Sequence, residues 1–533
     1  MKTSPAKGLR LSKNVLRSSA KMAVATFCSR ILGLVREQIM AAYFGASGFT
    51  DAFLVAYRIP NLLRDLLAEG AFSAAFVPTF TEANQESAQK GRELLWELVT
   101  ILSLITGVLT ILIFAFAPEI ISVFAPSFVA DPVKFDITVT LTRIMCPFLF
   151  FISLAALYMG ALNSLHVFFV PALAPASYNI MSILCMLFLS GWLSRHGYAP
   201  LLCLGSGSML GGFMQAVVQI PLVFKYGYAP TKPAQWWSPR AKKVILLLGP
   251  GLIGFAATQI NLLVNTVLAT SAAVGATSWL NYAFRLFQLP VGILSVSIGN
   301  SNLVHFSAAW KKGVRATAIQ SLSSSYYLSF LMVLPAMALL YTLSDEVVHV
   351  VFERGRFSAL STIMTAQALR MYVIGLPLYS LYKILVPTFY AIDKQRTPVI
   401  ASLVSVAFNI AFCWYMTPRY GFKMLALGTT LSMLLNCLIQ CWRINCDLAL
   451  GRGFFISARL LKLIFATGLM AIVSELMSPL VFGLEYTVVH KFLSLCLIGA
   501  VSTSVFLLSL VTMRERAAAR ALLTALTARF KKR

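Results

Sequence analysis

A strongly apolar stretch near the start of the chain, residues 27–78, carries ionisable side chains at a density that is unusual for a membrane segment. An ionisable side chain deep in a bilayer costs between ~2.5 and ~17 kcal/mol, so such residues are kept where they face protein or a water-filled cavity. Arginine suits phosphate oxygens because it is permanently charged and presents a planar, bidentate donor fork. The stretch therefore predicts one wall of a polar cavity for an anionic substrate. Its ionisable residues are Arg30, Arg36, Glu37, Asp51, Arg58, Arg64, Asp65 and Glu69.

The helical rise sorts the arginines into two layers. Arg36 lies nine residues before the predicted outer end of the first span, and Arg58 lies eight residues after the predicted outer start of the second. Both are then ~12–14 Å from the outer surface, and Arg285 reaches the same level in a similar stretch later in the chain. Arg30 and Arg64 form a deeper layer at ~21–22 Å. Arginines in two layers suit a ligand that has several phosphate oxygens.

For single residues of this stretch, a structural role is the alternative to this hypothesis. Arg30 and Arg64 also have the reach to snorkel to the cytoplasmic interface. Arg58 lies seven positions after Asp51, nearly on one helix face, so an internal ion pair is an equal alternative to a substrate role. Pro60 interrupts the second span, which is typical either of a fixed kink or of a bend that moves during transport.

The composition places these residues in a membrane protein. Of 533 residues, 58% are hydrophobic and 12% are charged, about half the charged share of an ordinary soluble protein. Basic residues precede the first apolar run, but no small-residue cleavage site follows it, which predicts a retained first span. The net charge of +25 gathers in the termini and short loops, which is the positive-inside pattern, and no nucleic-acid-binding motif accompanies it.

Cysteine and histidine usage argues against a metal centre. The nine cysteines lie mostly inside apolar runs without a C-x-x-C pair, and the five histidines are scattered. The cysteines are therefore interpreted as small packing residues. A membrane-embedded enzyme is not favoured either, because the sequence shows no DxD, no HxxxH and no paired acids in an outer loop.

Fourteen apolar segments predict an all-α, polytopic membrane fold. Each is near the ~20 residues that cross a bilayer. Connections rich in lysine and arginine alternate with poorer ones, which predicts that both termini are cytoplasmic. The segments are 24–44, 51–80, 94–124, 136–161, 168–194, 199–224, 243–270, 277–308, 318–343, 362–390, 397–417, 423–442, 457–480 and 487–512.

The chain also repeats internally. Thr50–Ile59 aligns with Thr277–Leu286 at an offset of 227, and Pro147 aligns with Pro377 at 230. The offset spans six helices, an even number, so the two lobes share one orientation and are related by a parallel pseudo-two-fold. We therefore expect two six-helix lobes around a central cavity, followed by two further helices. The predicted boundaries are 1–22 for a basic cytoplasmic N-terminus, 23–225 for the first lobe, 226–241 for a cytoplasmic linker, 242–450 for the second lobe, 451–512 for the last two helices and 513–533 for a basic cytoplasmic tail.

Several motifs are similar to those of one protein family. They are Ser29-Arg30-Ile31-Leu32-Gly33 with Arg36, Thr50-Asp51-Ala52-Phe53, Pro60-Asn61-Leu62-Leu63-Arg64, Ala68–Pro78, Tyr282–Leu286, and Phe389-Tyr390-Ala391 with Asp393. On these residues, and over essentially the whole chain, the sequence resembles the MurJ (MviN) family of lipid II flippases, within the multidrug/oligosaccharidyl-lipid/polysaccharide (MOP) exporter superfamily.

The resemblance implies roles for individual residues. Four arginines, Arg30, Arg36, Arg64 and Arg285, are expected to line the central cavity and to engage a diphosphate-sugar head group. The last two helices are expected to form a groove for an undecaprenyl tail. Further positions expected at the cavity or its gates are Ser29, Asp51, Arg58, Pro60, Glu69 and Gly70.

Three positions depart from the family pattern. Glu37 follows Arg36 where aspartate is usual, which keeps the charge on a longer arm. Phe284 precedes Arg285 where aspartate is common, so an adjacent acid is missing there. His305 occupies a position where proline is frequent, which removes the usual cause of a bend in that helix.

The function that the resemblance implies is transport and not catalysis. Lipid II, the undecaprenyl-diphosphate-linked peptidoglycan precursor, would move from the inner to the outer leaflet of the bacterial cytoplasmic membrane by alternating access, for cell wall synthesis. An inside-negative potential favours outward movement of negative charge by ~2.3 kcal/mol per charge per 100 mV. No cofactor is expected. A coupling cation, H⁺ or Na⁺, is considered, with Asp393 and Asn409 as candidate ligands and a loop cap as the alternative role of Asp393.

Other transport functions and a non-transporting scaffold are the alternatives. A flippase for another lipid-linked oligosaccharide, of the O-antigen type, also moves a lipid diphosphate, so only the motifs separate it from the first hypothesis. A cation-coupled drug antiporter of the same superfamily is expected to present carboxylates to its cavity instead of arginines. The expected partners are lipid II, membrane lipids and the cell-wall synthesis machinery, and no nucleic acid.

Overall fold

A computed structural model describes most of the chain: residues 25–26, 28–68, 71–232, 235–451, 453–455, 457–481, 487–515, 518, 520 and 522. The described regular structure is helical, and the chain divides into two compact units, Met1–Thr277 and Ser278–Arg533.

Twelve helices, labelled α1 to α12, make up the described part of the first unit. A 3₁₀ turn at Pro126–Ala130 precedes the sixth, and a π-helical turn at Cys185–Leu189 joins the eighth to the ninth. Their bounds are 28–44 (α1), Gly48–Ala68 (α2), Ala71–Glu86 (α3), Ala88–Ala115 (α4), Ala117–Phe124 (α5), Pro132–Met145 (α6), Pro147–Ser164 (α7), Phe169–Leu184 (α8), Ser190–Arg195 (α9), Leu202–Val217 (α10), Ile220–Lys225 (α11) and Pro239–Ala272 (α12).

The second unit continues with helices α13 to α22, the first of which begins just before the unit boundary. A π-helical turn at Val291–Ser295 separates α13 from α14. The bounds are Ala276–Pro290 (α13), Val296–Lys311 (α14), Arg315–Thr342 (α15), Ser344–Phe352 (α16), Ala359–Val373 (α17), Leu376–Ala391 (α18), Arg396–Tyr420 (α19), Lys423–Leu448 (α20), Ala458–Val481 (α21) and Val488–Thr512 (α22).

The order and spacing of the helices repeat between the units. α4, α5 and α6 correspond to α15, α16 and α17, each of which begins 227 positions later. The caps repeat as well: Asp131 accepts a hydrogen bond from the backbone of Lys134 at the start of α6, and Ser358 accepts one from Ser361 at the start of α17. Such side-chain caps satisfy amide groups that a helix leaves open at its N-terminus. The repeat found in the sequence is therefore confirmed in the helix order.

Nine helical stretches of the described residues are long and apolar enough to cross a membrane, with α6–α7, α8–α9 and α10–α11 each counted as one stretch, or ten if the bent pair α17–α18 counts as one span. The predicted number of fourteen is not confirmed by this criterion. The four predicted spans outside this set are 24–44, 51–80, 243–270 and 277–308, the first two of each predicted lobe. Each contains positions that the structure does not fully describe, and its described residues are helical.

Helix α12 packs within the first unit. It contacts α2, α3, α4 and α5. In the internal repeat, α12 is the counterpart of α1, and the prediction of a second lobe over 242–450 follows that correspondence. The compact units divide instead after Thr277, and the predicted domain boundaries stay a prediction.

Each unit has an apolar core of its own. In the first unit, one cluster joins α3, α4 and α7 around Phe76, Phe80 and Leu95. A second cluster joins α2, α5 and α6 around Ile121 and Phe128. The core of the second unit is built from α14, α15, α18, α20, α21 and α22, with Phe306, Phe389 and Phe506 fully buried.

Candidate functional site

Arg36 is held by two neighbours inside the first unit. Its Nη2 donates to Glu37 Oε1 at 2.5 Å, and the Glu37 side chain is 3% exposed. Its Cζ atom lies 5.2 Å from the centre of the Tyr178 ring on α8. The aromatic face attracts the cation, while Glu37 supplies the opposite charge. The glutamate that replaces the usual aspartate therefore still pairs with its arginine.

The same two helices meet a short distance along α1. Asn179 Nδ2 donates to the backbone carbonyl of Ser29 at 3.1 Å. A Cβ atom placed on Gly33 would lie 3.5 Å from that amide nitrogen, which is ordinary van der Waals contact. Ser29, a predicted cavity position, is thus fixed through its backbone, and its side chain is half-buried.

Asp51 is buried, with 1% of its surface exposed, near the start of α2. Its Oδ2 accepts the backbone N–H of Gly275 at 2.6 Å, just beyond the end of α12. Lys134 on α6 interacts electrostatically with this carboxylate, and its Nζ lies 3.8 Å from the centre of the Phe128 ring. The predicted gating acid is therefore a structural link between α2 and the connection after α12.

Arg58 is linked to α12 as well. Its Nη1 donates to Thr266 Oγ1, and Thr266 is fully buried. The sequence left open an internal pair between Arg58 and Asp51, and the structure shows that each of the two also has a partner at the C-terminal end of α12. Asp51 and Arg58 thus connect α2 to α12 and to the turn that follows it.

The other candidates of the first unit are described to different degrees. Arg30 is exposed on α1, and no hydrogen bond or ion pair reaches it from the described residues. Pro60 is buried, and α2 continues through it without a break in the helix. The side chain of Arg64, together with Glu69 and Gly70, lies outside the described part of the chain.

Arg285 lies in the second unit, half-buried on α13. Its neighbour Phe284, at the position where the family pattern has an acid, stacks on Phe287 with ring centres 5.7 Å apart and meets the edge of Tyr372 at 5.4 Å. His305 is exposed on α14, which runs without a break from Val296 to Lys311.

The two candidate cation ligands are far apart. Asp393 is exposed in the turn before α19 and has a positive φ of 57°. Asn409 is 1% exposed inside α19, and its Oδ1 accepts the Cys413 thiol at 2.8 Å. The helical rise separates them by ~20 Å. Searched over the described residues, the structure has no group of three or more histidine, cysteine, aspartate or glutamate side chains that could hold a metal ion.

Sequence reasoning missed the residues that hold the charged side chains. Tyr178, Thr266 and Gly275 carry no charge, and they lie more than 140 positions from the residues that they bind. The one available signal was Asn179, the neighbour of Tyr178, which aligns with Asn409 in the internal repeat at an offset of 230.

The helical fold identifies the class of protein first. A solved structure described as an inward-facing multidrug resistance MATE family transporter of the MOP superfamily matches with a TM-score of 0.64 at 13% identity, covering 79% of this chain and 94% of that chain. This chain is a multi-pass, all-helical membrane protein with the fold of that superfamily.

Closer matches identify the family. The family model described as lipid II flippase MurJ matches residues 40–498. A lipid II flippase MurJ of Burkholderia cenocepacia is 34% identical over 433 residues, 80% of this chain and 83% of the relative, and a probable lipid II flippase MurJ of Bdellovibrio bacteriovorus is 32% identical over 430 residues, 80% and 81% respectively. A solved structure of lipid II flippase MurJ in an inward closed conformation matches with a TM-score of 0.75 at 26% identity, covering 92% of this chain and 99% of that chain. The chain belongs to the MurJ family of lipid II flippases.

Proposed function

We propose that this chain moves lipid II from the inner to the outer leaflet of the bacterial cytoplasmic membrane by alternating access. On this proposal the chain is a transporter and not an enzyme. Membership of the family supports the substrate. Arginines placed inside predicted spans support the mode of binding, because a diphosphate is bound by cationic, bidentate donors.

The exposure of the Arg30 side chain, with no partner among the described residues, is the single observation that carries the proposal. Arg30 lies in a predicted span, its side chain is exposed, and no described residue pairs with it. An arginine kept only for structure would be expected to have an acidic or carbonyl partner, since an unpaired charge in a membrane is costly. Arg36, with 14% of its side chain exposed, adds a second cation six positions further along α1. Arg64 and Arg285 complete the proposed set.

The proposed mechanism follows from these positions. The diphosphate enters from the inner leaflet and is neutralised by the arginines while the tail stays in lipid, in a groove that we assign to α21 and α22. The two lobes then rock around the bound head group. The membrane potential favours the outward step. A coupling cation, H⁺ or Na⁺, would assist the return, and Asn409, inside a span, is the position to test for ion dependence.

Depletion and complementation test this function. The chain is expected to restore growth to a bacterium depleted of its own lipid II flippase, and Arg30→Ala, Arg36→Ala and Arg285→Ala are expected to lose at least tenfold in transport. Arg195→Ala is the matched control, because Arg195 is exposed and bonds only to Gly191 of its own helix. Lipid II is expected to accumulate on the inner leaflet of depleted cells. Normal lipid II topology, or full activity of all three arginine variants after normal insertion, would overturn the proposal.

Purified protein separates the alternatives. In proteoliposomes, lipid II is expected to cross, whereas a lipid-linked O-antigen precursor and cationic drugs are not. Transport of either alternative substrate in preference to lipid II would assign the chain to another function of the superfamily. Association with the cell-wall synthesis machinery is part of the proposal, and co-purification with a lipid II synthase or polymerase would test it.

A further inference from the structure

The Tyr178 side chain is fixed on every side. Its hydroxyl donates to Ser208 Oγ at 3.3 Å, and Ser208 in turn donates to the carbonyl of Leu204 at 2.9 Å on α10. Its ring lies 5.8 Å from that of Phe148 on α7. With 8% of its surface exposed, the Tyr178 side chain is packed against α7 and α10.

Two glycines on α10 set how close Tyr178 comes to its neighbours. A Cβ atom on Gly211 would lie 2.6 Å from the Tyr178 ring and 3.0 Å from its carbonyl oxygen, and a Cβ atom on Gly207 would lie 3.1 Å from Ser182. This is the spacing of small residues that lets membrane helices approach closely. α8 therefore sits directly on the α10 backbone, and the position of the ring is determined by the backbones of both helices.

The Arg36 guanidinium rests on this fixed ring. Its centre is 5.2 Å from the ring centre, and one Nη donates to Glu37. A guanidinium has five N–H donors, so the two contacts orient the group without using up its donors. The ring attracts the cation without adding a charge, Glu37 supplies the one opposite charge described beside it, and the guanidinium donors that these two contacts do not use are the ones offered to an anion.

We propose that Tyr178 is a positioning residue for Arg36 and thereby sets the affinity of the first unit for the diphosphate of the transported lipid. This inference rests on the proposed function. An arginine on a free stem loses side-chain entropy when it binds, and a cation already held in place loses less. Loss of the ring therefore weakens binding without removing any group that contacts the substrate.

A double-mutant cycle tests this inference in proteoliposomes with lipid II as the substrate. Tyr178→Leu is expected to weaken the apparent affinity about 2- to 30-fold, the range that a partly buried cation–π contact supports, with little change in the maximal rate. Tyr178→Phe keeps the ring and is expected to stay within about twofold of wild type. In an Arg36→Ala background, Tyr178→Leu is expected to have no further effect on affinity, because the group that it positions is absent.

Tyr158→Leu is the matched control. Tyr158 is 5% exposed on α7 and belongs to a different core cluster, so its loss is expected to combine additively with Arg36→Ala. Should Tyr178→Leu fail to insert, Tyr178→Met provides a second variant without a ring. Additive effects of Tyr178 and Arg36, or wild-type affinity in both ringless variants, would overturn this inference alone. Wild-type protein that neither binds nor moves lipid II would overturn the proposed function itself.

Discussion

In the first unit, charged side chains in apolar helices form hydrogen bonds with neutral partners as well as with oppositely charged ones. Arg58 donates to a threonine hydroxyl, and Asp51 accepts a backbone N–H. Such hydrogen bonds to a charged group are stronger than neutral ones, and they lower the cost of burying the charge. Removal of Asp51 leaves the buried backbone N–H of Gly275 without this acceptor, which is a cost of its own, whereas Thr266 still donates to the carbonyl of Leu262 at 2.6 Å.

Asp51→Ala is expected to destabilise the protein by ~1–3 kcal/mol, because the backbone N–H of Gly275 loses its acceptor in a buried place. Thermal unfolding in detergent, followed by the loss of monodisperse protein, measures the change. Asp136→Ala is the control, since Asp136 is exposed on α6 and has no described partner, and it is expected to change stability by less than ~0.5 kcal/mol. Equal midpoints for the two variants would contradict the structural role assigned to Asp51.

The residue scale also shows what the sequence could and could not predict. It predicted that Arg36, Asp51 and Arg58 lie in helices and face protein or a polar cavity, because residue type, spacing and polarity are local properties. It did not predict Tyr178 or Thr266, because they are uncharged and their contacts close loops of more than 140 residues. Nothing within a single sequence specifies which distant helix faces which.

At the scale of elements, the linker before α12 is bound to α3 and α4 along its length. Trp96 Nε1 donates to the carbonyl of Tyr228 at 3.0 Å, and the Tyr228 hydroxyl, whose pKa is raised by burial, donates to Asn84. Glu97, 3% exposed, accepts the Ser238 hydroxyl at 2.7 Å, and Ser238 is the N-cap of α12. The start of α12 is thus fixed to α4.

An exposed ion-pair cluster at the end of α3 adds a pH-dependent contact to this linker. Glu86 bonds Lys90 at 2.9 Å and Arg240 at 2.5 Å, and these bonds, Lys90 first, hold the pKa of the Glu86 carboxyl below its usual value. A lowered pKa means that the contact is present at and above the ordinary glutamate pKa and is lost as the pH falls through the lowered one.

Hydrogen exchange of residues 226–240, corrected for its intrinsic pH dependence, is therefore expected to show protection that is constant above the ordinary glutamate pKa and decreases as the pH falls through the lowered pKa of Glu86. Glu86→Gln is expected to reproduce the lower protection at neutral pH. Glu93→Gln is the control, because Glu93 is exposed on α4 and accepts only from Gln89 of the same helix at 3.0 Å. The same protection in Glu86→Gln and wild type at every pH would show that the pair does not hold the linker.

At the scale of the whole molecule, the sequence predicted helices more securely than spans. The apolar run of ~20 residues is a strong local signal, and ten of the fourteen predicted segments meet the criterion for a span when the bent pair is counted as one. The other four are the first two of each lobe, and each contains positions that the structure does not fully describe. All four arginines assigned to the substrate lie on these helices.

Whether these four helices cross the bilayer is open to a direct test on α12. It has 34 residues, ~50 Å of helix, against a hydrocarbon core of ~30 Å, so it is long enough to span even when tilted. A crossing helix places the linker and the 273–275 turn on opposite sides, whereas a helix that does not cross keeps both on one side. The fourteen-span topology, with both termini cytoplasmic, requires the linker inside and the turn outside.

Single cysteines at the two ends of α12 distinguish these arrangements. Exposed Cys28, Cys446 and Cys496 are first changed to serine. Val274→Cys, at a position 70% exposed, is expected to react with a membrane-impermeant maleimide in intact spheroplasts, whereas Lys232→Cys is expected to react only after permeabilisation. Val129→Cys, 54% exposed in the predicted outer turn before α6, is the positive control. Labelling of both α12 positions from one side would show that α12 does not cross the membrane. The two lobes would then no longer be separated by six crossing helices, the even number on which their shared orientation depends.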